Sequence, residues 1–375
     1  MKTKPNLWLM VIMLMVPQIV ETIYSPALAS IALSFGVTNG QAAQTLSVYF
    51  FAFAMGVIVW GMLADRLGRR LTMLIGLLTY AAASLFAMLT DSFTGVMVAR
   101  AVSAFGIAVG SVVTQTMLRD AFSGSELAKV FSLMGMGIAL SPVLGMFLGG
   151  QLAQAGGHQW VFCTLFIMAF VLFVYNCLKL PETQTEKRSM PLNGLIWRML
   201  NDWLLWRIGL LVGLFNIALF SYYQLGAMSF SQLGLGAEQF GYSGALLGVA
   251  TLLGSYVNKL MIKKLVSLTI LLRFAVLLLT LGAAGVYLLQ NSIWFIGPMV
   301  FVVMAFAIAI PNLLSIALVE YQQHAGSAGA IFGLMYYLTI AAGLALAGVA
   351  QNLALVLIAC SVATVLVIGR HNLSD

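Results

Sequence analysis

The chain has 375 residues, 62% of them hydrophobic and only 8% charged, with a formal net charge of +7. A soluble domain carries roughly 25% charged residues to solvate its surface, so this composition excludes a soluble enzyme, a nucleic-acid-binding domain and a secreted disulfide scaffold. Lipid must be the solvent for most of the surface, and lipid is the first partner implied.

Apolar runs of about 20 residues without strand-like alternation predict spanning helices rather than barrel strands. In chain order they lie near 7–29, 43–64, 71–90, 94–117, 130–152, 159–179, 207–228, 239–260, 266–289, 293–317, 328–349 and 352–369. The fold class is therefore an all-α membrane protein, twelve transmembrane helices in two six-helix pseudo-symmetric halves. An N-terminal bundle covers 1–180, a linker 181–206, and a C-terminal bundle 207–375. The first apolar stretch, Leu7 to Leu28, is too long for a cleavable signal peptide. Sixteen of the eighteen lysines and arginines fall in connections on the side of the N-terminus, and the loops of the other side hold none. By the positive-inside rule both termini and the linker are expected in the cytoplasm.

Taken along the chain, the polar residues inside these spans form a short roster. The first span carries Gln18, Glu21 and Ser25 on one stripe. The fourth carries Arg100, Ala104, Ala108, Ser111 and Gln115 at i, i+4, i+8, i+11 and i+15, a small-and-polar face suited to lining a cavity. Glu21 and Arg100 are the clear ionisable groups away from span ends. At 1.5 Å per residue each lies ~21 Å from the inner edge of a ~30 Å core. Buried charges are costly unless paired, so the two are expected to sit side by side. The seventh span adds Asn216, Phe220 and Tyr223 at i, i+4 and i+7, and the eleventh Tyr336 and Tyr337. Such an apolar, aromatic cavity suits amphiphilic small molecules and discriminates weakly among them. Cys163, Cys177 and Cys360 have no paired spacing, and His158, His324 and His371 fall in loops or tails, so no disulfide, metal or cofactor is expected.

Between the second and third spans stands Gly61-Met62-Leu63-Ala64-Asp65-Arg66-Leu67-Gly68-Arg69-Arg70. It resembles the signature G-x-L-a-D-r-x-G-r-[RK] of the major facilitator superfamily at every specified position. Three further stretches are similar to the drug:proton antiporter branch, in the version seen in bicyclomycin- and chloramphenicol-resistance transporters. They are Tyr24-Ser25-Pro26-Ala27-Leu28, Arg100 through Gly106, and the run GIALSPVLGMFLGG from Gly137 to Gly150. Ala325 through Gly329 is a weaker match in the second half. The resemblance implies a bacterial-type inner-membrane exporter that exchanges amphiphilic drugs or metabolites for protons by alternating access, acting as a monomer. A proton-coupled importer, an exporter of one metabolite or siderophore, and a non-transporting receptor or channel are the alternatives. It implies proton coupling by Glu21 and Arg100. A cytoplasmic latch is expected from Gly61, Asp65, Gly68, Arg69, Arg70 and Arg119 with the start of the eleventh span near Ser327. Pro142, Gly145 and Gly149 would form a sliding interface, and the substrate would meet Gln18, Tyr24, Ser111, Gln115, Asn216, Phe220, Tyr223, Tyr336 and Tyr337. One departure stands out: relatives commonly have an aspartate where this chain has Thr22, and the acid comes one place earlier as Glu21.

Overall fold

In a computed structural model, residues 5–184 and 193–369 are described. Lys2, Lys4, Lys187, Arg188, Arg370 and His371, used in the sequence reading, lie outside the described residues, as does 185–192 of the linker.

The first span runs from Leu7 to Ser34 with a 3-10 turn part-way. Asn6 caps helix α1 (Leu7–Tyr24) by accepting from the Trp8 N–H at 2.9 Å; Pro26 then turns the chain through Ser25–Ala27 before α2 (Leu28–Ser34). A proline lacks the N–H and crowds the carbonyl four residues back, so the span expected over 7–29 tightens there while its backbone stays helical. The second, third and fourth spans are α3 (Asn39–Leu67), α4 (Arg69–Leu89) and α5 (Phe93–Ala121). A capping box of Thr38 and Gln41 starts α3, and Ser92 caps α5. Caps of this kind carry the helices past the apolar runs. The fifth and sixth spans form one long element, α6 (Gly124–Lys179), broken at Gly156 and Gly157. Gly157 has φ +62°, a conformation that glycine adopts without penalty.

A short amphipathic helix, α7 (Asn193–Leu200), follows in the linker, where no element was expected. The second half then runs α8 (Trp203–Gln232), α9 (Ala237–Lys263), α10 (Leu268–Leu289), α11 (Ile296–Ala317), α12 (Ala325–Ala350) and α13 (Leu353–Gly369). Among the described residues, ten segments are long and apolar enough to cross a membrane, with 129–179 counted once and the shorter Leu353–Ile368 besides. Separating the two arms of α6 and adding α13 makes twelve crossings, so both described ends reach one face. The connections on that face carry Arg66, Arg69, Arg70, Lys179, Lys263 and Lys264, and it is called the basic face below.

Within the first half α3 and α4 pack on α5, and α1 on α6; within the second, α10 packs on α11 and α8 on α12 and α13. The halves meet along two seams, α3 against α12 and α6 against α9. On the face opposite the basic one these seams are closed. Gln44 donates to the Ala345 carbonyl at 2.9 Å, and Gln224 donates to the carbonyls of Ala43 at 2.8 Å and Leu344 at 3.0 Å. A Cβ on Gly40 would lie 3.0 Å from the Gly348 carbonyl oxygen, and one on Gly150 would lie 2.8 Å from the Gly241 Cα.

Candidate functional site

Between the halves lies a cavity of about 150 Å³. Its walls come from both bundles: Pro17, Gln18 and Glu21 from α1, Tyr49, Phe50 and Phe53 from α3, and Ile138 from α6. Across from them stand Val212, Asn216 and Phe220 from α8, Phe306, Ile310 and Leu314 from α11, and Tyr336 and Tyr337 from α12. Leu314 stands near the basic-face end of α11, so the cavity runs from mid-depth towards that face. Aromatic pairs bridge the halves, with ring centroids 4.7 Å apart for Phe50 and Phe220 and 5.0 Å for Phe53 and Tyr337. Offset or edge contacts of this kind add to apolar burial. Among the described residues, Glu21 is the one carboxylate in that wall, which contains no Lys, Arg or His.

The sequence stripe on the first span thus separates. Ser25, its third member, does not face the cavity but is buried, its hydroxyl donating to the Tyr223 carbonyl of α8. Gln18 and Glu21 face the cavity, while Thr22 is fully buried, its hydroxyl donating to the Gln18 carbonyl at 2.8 Å and lying against Gly145 of α6. At position 22 a carboxylate would be pressed into the helix interface. The acid at 21 is therefore the one that the cavity can reach.

Arg100 stands behind the wall, not in it. Its guanidinium lies 3.9 Å from the centroid of the Tyr24 ring and 4.4 Å from that of Tyr49, an arrangement in which ring faces attract the cation. The expected Glu21–Arg100 pair is not made. Among the described residues, Glu21 Oε1 and Arg100 Nε and Nη2 have no hydrogen-bond partner, although the two charges interact through space. The residues are only 3% and 1% exposed. Tyr24 and Tyr49 both hold the guanidinium by their rings, and no contact with the Glu21 carboxylate is made.

Of the expected substrate contacts, Gln18, Asn216, Phe220, Tyr336 and Tyr337 line the cavity, and Tyr24, Ser111, Gln115 and Tyr223 do not. Tyr24 is wholly buried, donates to Thr45 Oγ1 at 2.9 Å and stacks on Arg100. Tyr223 offers its carbonyl to the Ser25 hydroxyl across the two halves. Tyr49, Phe50 and Phe53 were missed. Their spacing on the second span, i, i+1 and i+4, is the signal that marks one aromatic helix face.

At the basic face a charge cluster surrounds Arg69. Its Nη1 donates to Asp65 Oδ1 at 2.7 Å and to the Ala64 carbonyl at 2.6 Å, and its Nε to Asp120 Oδ2 at 3.1 Å. Glu182 accepts the backbone N–H groups of Arg69 and Arg70, each at 3.0 Å, and Arg70 donates to the Cys177 carbonyl at 2.7 Å. Gly68 joins α3 to α4 at φ +99°, and a Cβ there would lie 2.7 Å from Glu182 Oε2. Gly61 is under no such constraint, since its Cβ would make ordinary contact at 3.6 Å with Val112. The latch expected from the sequence differs in two members. Arg119 lies over the Phe131 ring at 5.8 Å, while its neighbour Asp120 and Glu182 of the linker join the cluster. Among the described residues, the Asp65 carboxylate pairs with Arg69 and not with the start of α12. Asp120 was within reach of the sequence, in the pair Arg119-Asp120.

The fifth-span glycines face two directions. Cβ atoms on Gly145 and Gly149 would meet the backbone of α1 at Ile19 and Ile23, whereas Gly150 faces Ala237 and Gly241 of α9 in the other half. Pro142 is half-buried on the same arm of α6, where Ser141 donates to the Gly137 carbonyl at 2.8 Å.

Residues 10–344 match the model of the Major Facilitator Superfamily. An uncharacterized transporter of Rickettsia bellii (strain RML369-C) is 31% identical over 356 residues, covering 89% of this chain and 87% of the relative. A bicyclomycin resistance protein homolog of Haemophilus influenzae (strain ATCC 51907 / DSM 11121 / KW20 / Rd) is 26% identical over 336 residues, 86% of this chain and 83% of the relative. In fold, the chain is similar to a bacterial homolog of the human lysosomal transporter Spinster, solved in an inward-facing, unoccupied conformation. The TM-score is 0.75 at 14% identity, over 97% of this chain and 94% of that one. The chain is a multi-pass membrane transporter of the major facilitator superfamily.

Proposed function

We propose that this transporter exports amphiphilic drugs or metabolites in exchange for protons, by alternating access of the cavity between its halves. The observation that supports it most is an apolar, aromatic cavity between the halves whose one acidic or basic wall residue among the described residues, Glu21, is buried and unpartnered. A carboxyl group in such a wall can be neutral with a proton or charged without one. An occupant that favours the charged form displaces the proton, and the proton displaces the occupant. Linkage makes that exclusion reciprocal in free energy.

The halves over 1–180 and 207–375 would move as bodies, with 181–206 as their connection. In the arrangement described above, Gln44, Gln224 and the Gly150–Gly241 contact close the seams on one side, and the cavity extends to the basic side. On our reading the basic face is cytoplasmic and the transporter works as a monomer in an inner membrane. This conformation would then take substrate from the cytoplasm and release the proton there. The drug-resistance relative favours export of antibiotics or similar amphiphiles.

Purified protein in proteoliposomes, with chloramphenicol as the probe and an imposed proton gradient, tests the reading. Glu21→Gln is expected to abolish gradient-driven chloramphenicol movement while leaving its binding intact and no longer dependent on pH. Gradient-driven transport by Glu21→Gln at the parental rate would remove Glu21 from the coupling step.

A further inference from the structure

The Arg100 guanidinium is an unusual group for a protein interior. It is 1% exposed, two of its nitrogens have no hydrogen-bond partner among the described residues, and rings from two different helices cover it. Glu21 is nearby, 3% exposed, with Oε1 also unpartnered. Two opposite charges left apart at one depth, each with free hydrogen-bonding capacity, describe a pair held open. Tyr24 is tied in place by its bond to Thr45 and is fully buried. Tyr49 is tied less firmly. Its hydroxyl reaches only the Pro17 carbonyl, at 3.4 Å, a long bond by hydrogen-bond standards. Tyr49 is also the one residue that both lines the cavity and covers Arg100.

We propose that Tyr24 and Tyr49 clamp Arg100 away from Glu21, and that Tyr49 is a positioning residue through which the cavity wall sets the proton affinity of Glu21. While the clamp is shut, the carboxyl group has an arginine in electrostatic reach but no contact with it. When the Tyr49 ring turns aside, the guanidinium is freed to bond the carboxylate directly. A cation in contact favours the charged form of a carboxyl group, so the proton leaves Glu21 for water in the cavity. Arg100 keeps its own proton throughout, and only its position changes. A neutral occupant that displaces Tyr49 could therefore release a proton without supplying any positive charge itself. The other ionisable groups facing the pair are Tyr80 of α4, Tyr223 of α8 and Tyr337 of α12. As tyrosines they are neutral below about pH 9, so none of them competes for this role in the range of interest.

The inference rests on the proton-coupling reading of Glu21, and the test separates the two. Infrared titration of the purified, ligand-free protein follows the carboxyl band that Glu21→Gln removes. Tyr49→Leu is expected to move the midpoint of that band down by at least about one pH unit, a tenfold change in proton affinity. Tyr49→Phe, which keeps the ring, should leave it in place. The shift should vanish when Tyr49→Leu is made together with Arg100→Gln, because water entering beside Glu21 would act without the arginine. If Tyr49→Leu does not fold, Tyr24→Leu opens the clamp from its other side and carries the same expectation. An unmoved midpoint, or a shift that persists with Arg100→Gln, overturns the clamp alone. A titration in which Glu21→Gln removes no band overturns the proton-site reading beneath it.

Discussion

Replacing Arg69 by lysine isolates what the basic-face cluster contributes. Arg69 makes three bonds at once, to Asp65 Oδ1, the Ala64 carbonyl and Asp120 Oδ2, and is only 7% exposed. A guanidinium does this with a rigid planar fork, whereas a lysine ammonium is a point charge on a flexible stem. On this geometry Arg69→Lys keeps one of the three bonds. The Asp65 side chain is 52% exposed, so solvent screens that arm to less than about 1 kcal/mol. The Asp120 and Ala64 arms are better shielded, and hydrogen bonds to charged groups contribute about 1.5–3 kcal/mol each. Losing the exposed arm and one shielded arm costs about 2–3 kcal/mol. For a cooperative unit of 150–250 residues each kcal/mol is worth roughly 2–4 °C, so the melting temperature should fall by about 4–12 °C. With the half-buried Cys163 and Cys177 replaced by serine, a thiol-reactive dye that reports exposure of the buried Cys360 measures this in detergent. Asp65→Asn, which weakens only the screened arm, should fall by less than half as much while slowing transport. A parental melting temperature for Arg69→Lys, or equal losses for both variants, would refute the reasoning.

Three other outcomes can be checked. In a cysteine-free background, a cysteine at Asp91 should react with an impermeant thiol reagent in intact cells and one at Arg188 should not; labelling at Arg188 reverses the orientation. Burial pushes the Glu182 carboxyl up, but the backbone N–H groups of Gln184, Arg70, Arg69 and Thr183 outweigh it and hold the group below its ordinary value. Its contribution is therefore present above the ordinary range near pH ~4.3 and lost as pH falls through the lower folded value, so acid below that range should destabilise the parent more than Glu182→Gln in a melting series. A Cβ on Gly149 would lie 2.8 Å from the Ile23 carbonyl carbon, while one on Gly135 would meet nothing within 4 Å. Gly149→Val should accordingly lower folded yield sharply and Gly135→Ala should not, as judged by gel filtration.

The spans were legible because a bilayer permits so little: an apolar run of the right length has to be a helix. What interrupts a run is local chemistry, and there the reading was uneven. Gly156-Gly157 could be read as the break between two spans. Pro26 tightens the first span into a 3-10 turn, a local effect that hydropathy does not register. The linker helix α7 has eight residues, too few for periodicity to register against the long apolar runs on either side. The basic-face cluster was half legible for a related reason. Asp65 and Arg69 are four apart on neighbouring turns, but Asp120 and Glu182 reach Arg69 from 51 and 113 residues away, a relation that no local pattern encodes.

The site marks a sharper limit. Periodicity states which residues share a face, and it rightly grouped Gln18 with Glu21. It does not state which of two neighbours, 21 or 22, turns towards the cavity, because that depends on where the next helix presses. Here the pressing helix is the fifth span, and the absence of a side chain at Gly145 makes room for the Thr22 hydroxyl. Glu21, one residue back round the helix, faces the cavity. The expected pairing with Arg100 failed for a comparable reason. Equal depth brings two charges to one level, but the Tyr24 and Tyr49 rings compete for the guanidinium, one of them from a helix that the sequence reading had not assigned to the cavity. A pair made at the start would have nothing left to do when a ligand arrives. A pair held apart by a residue of the cavity wall retains a contact that can form on demand.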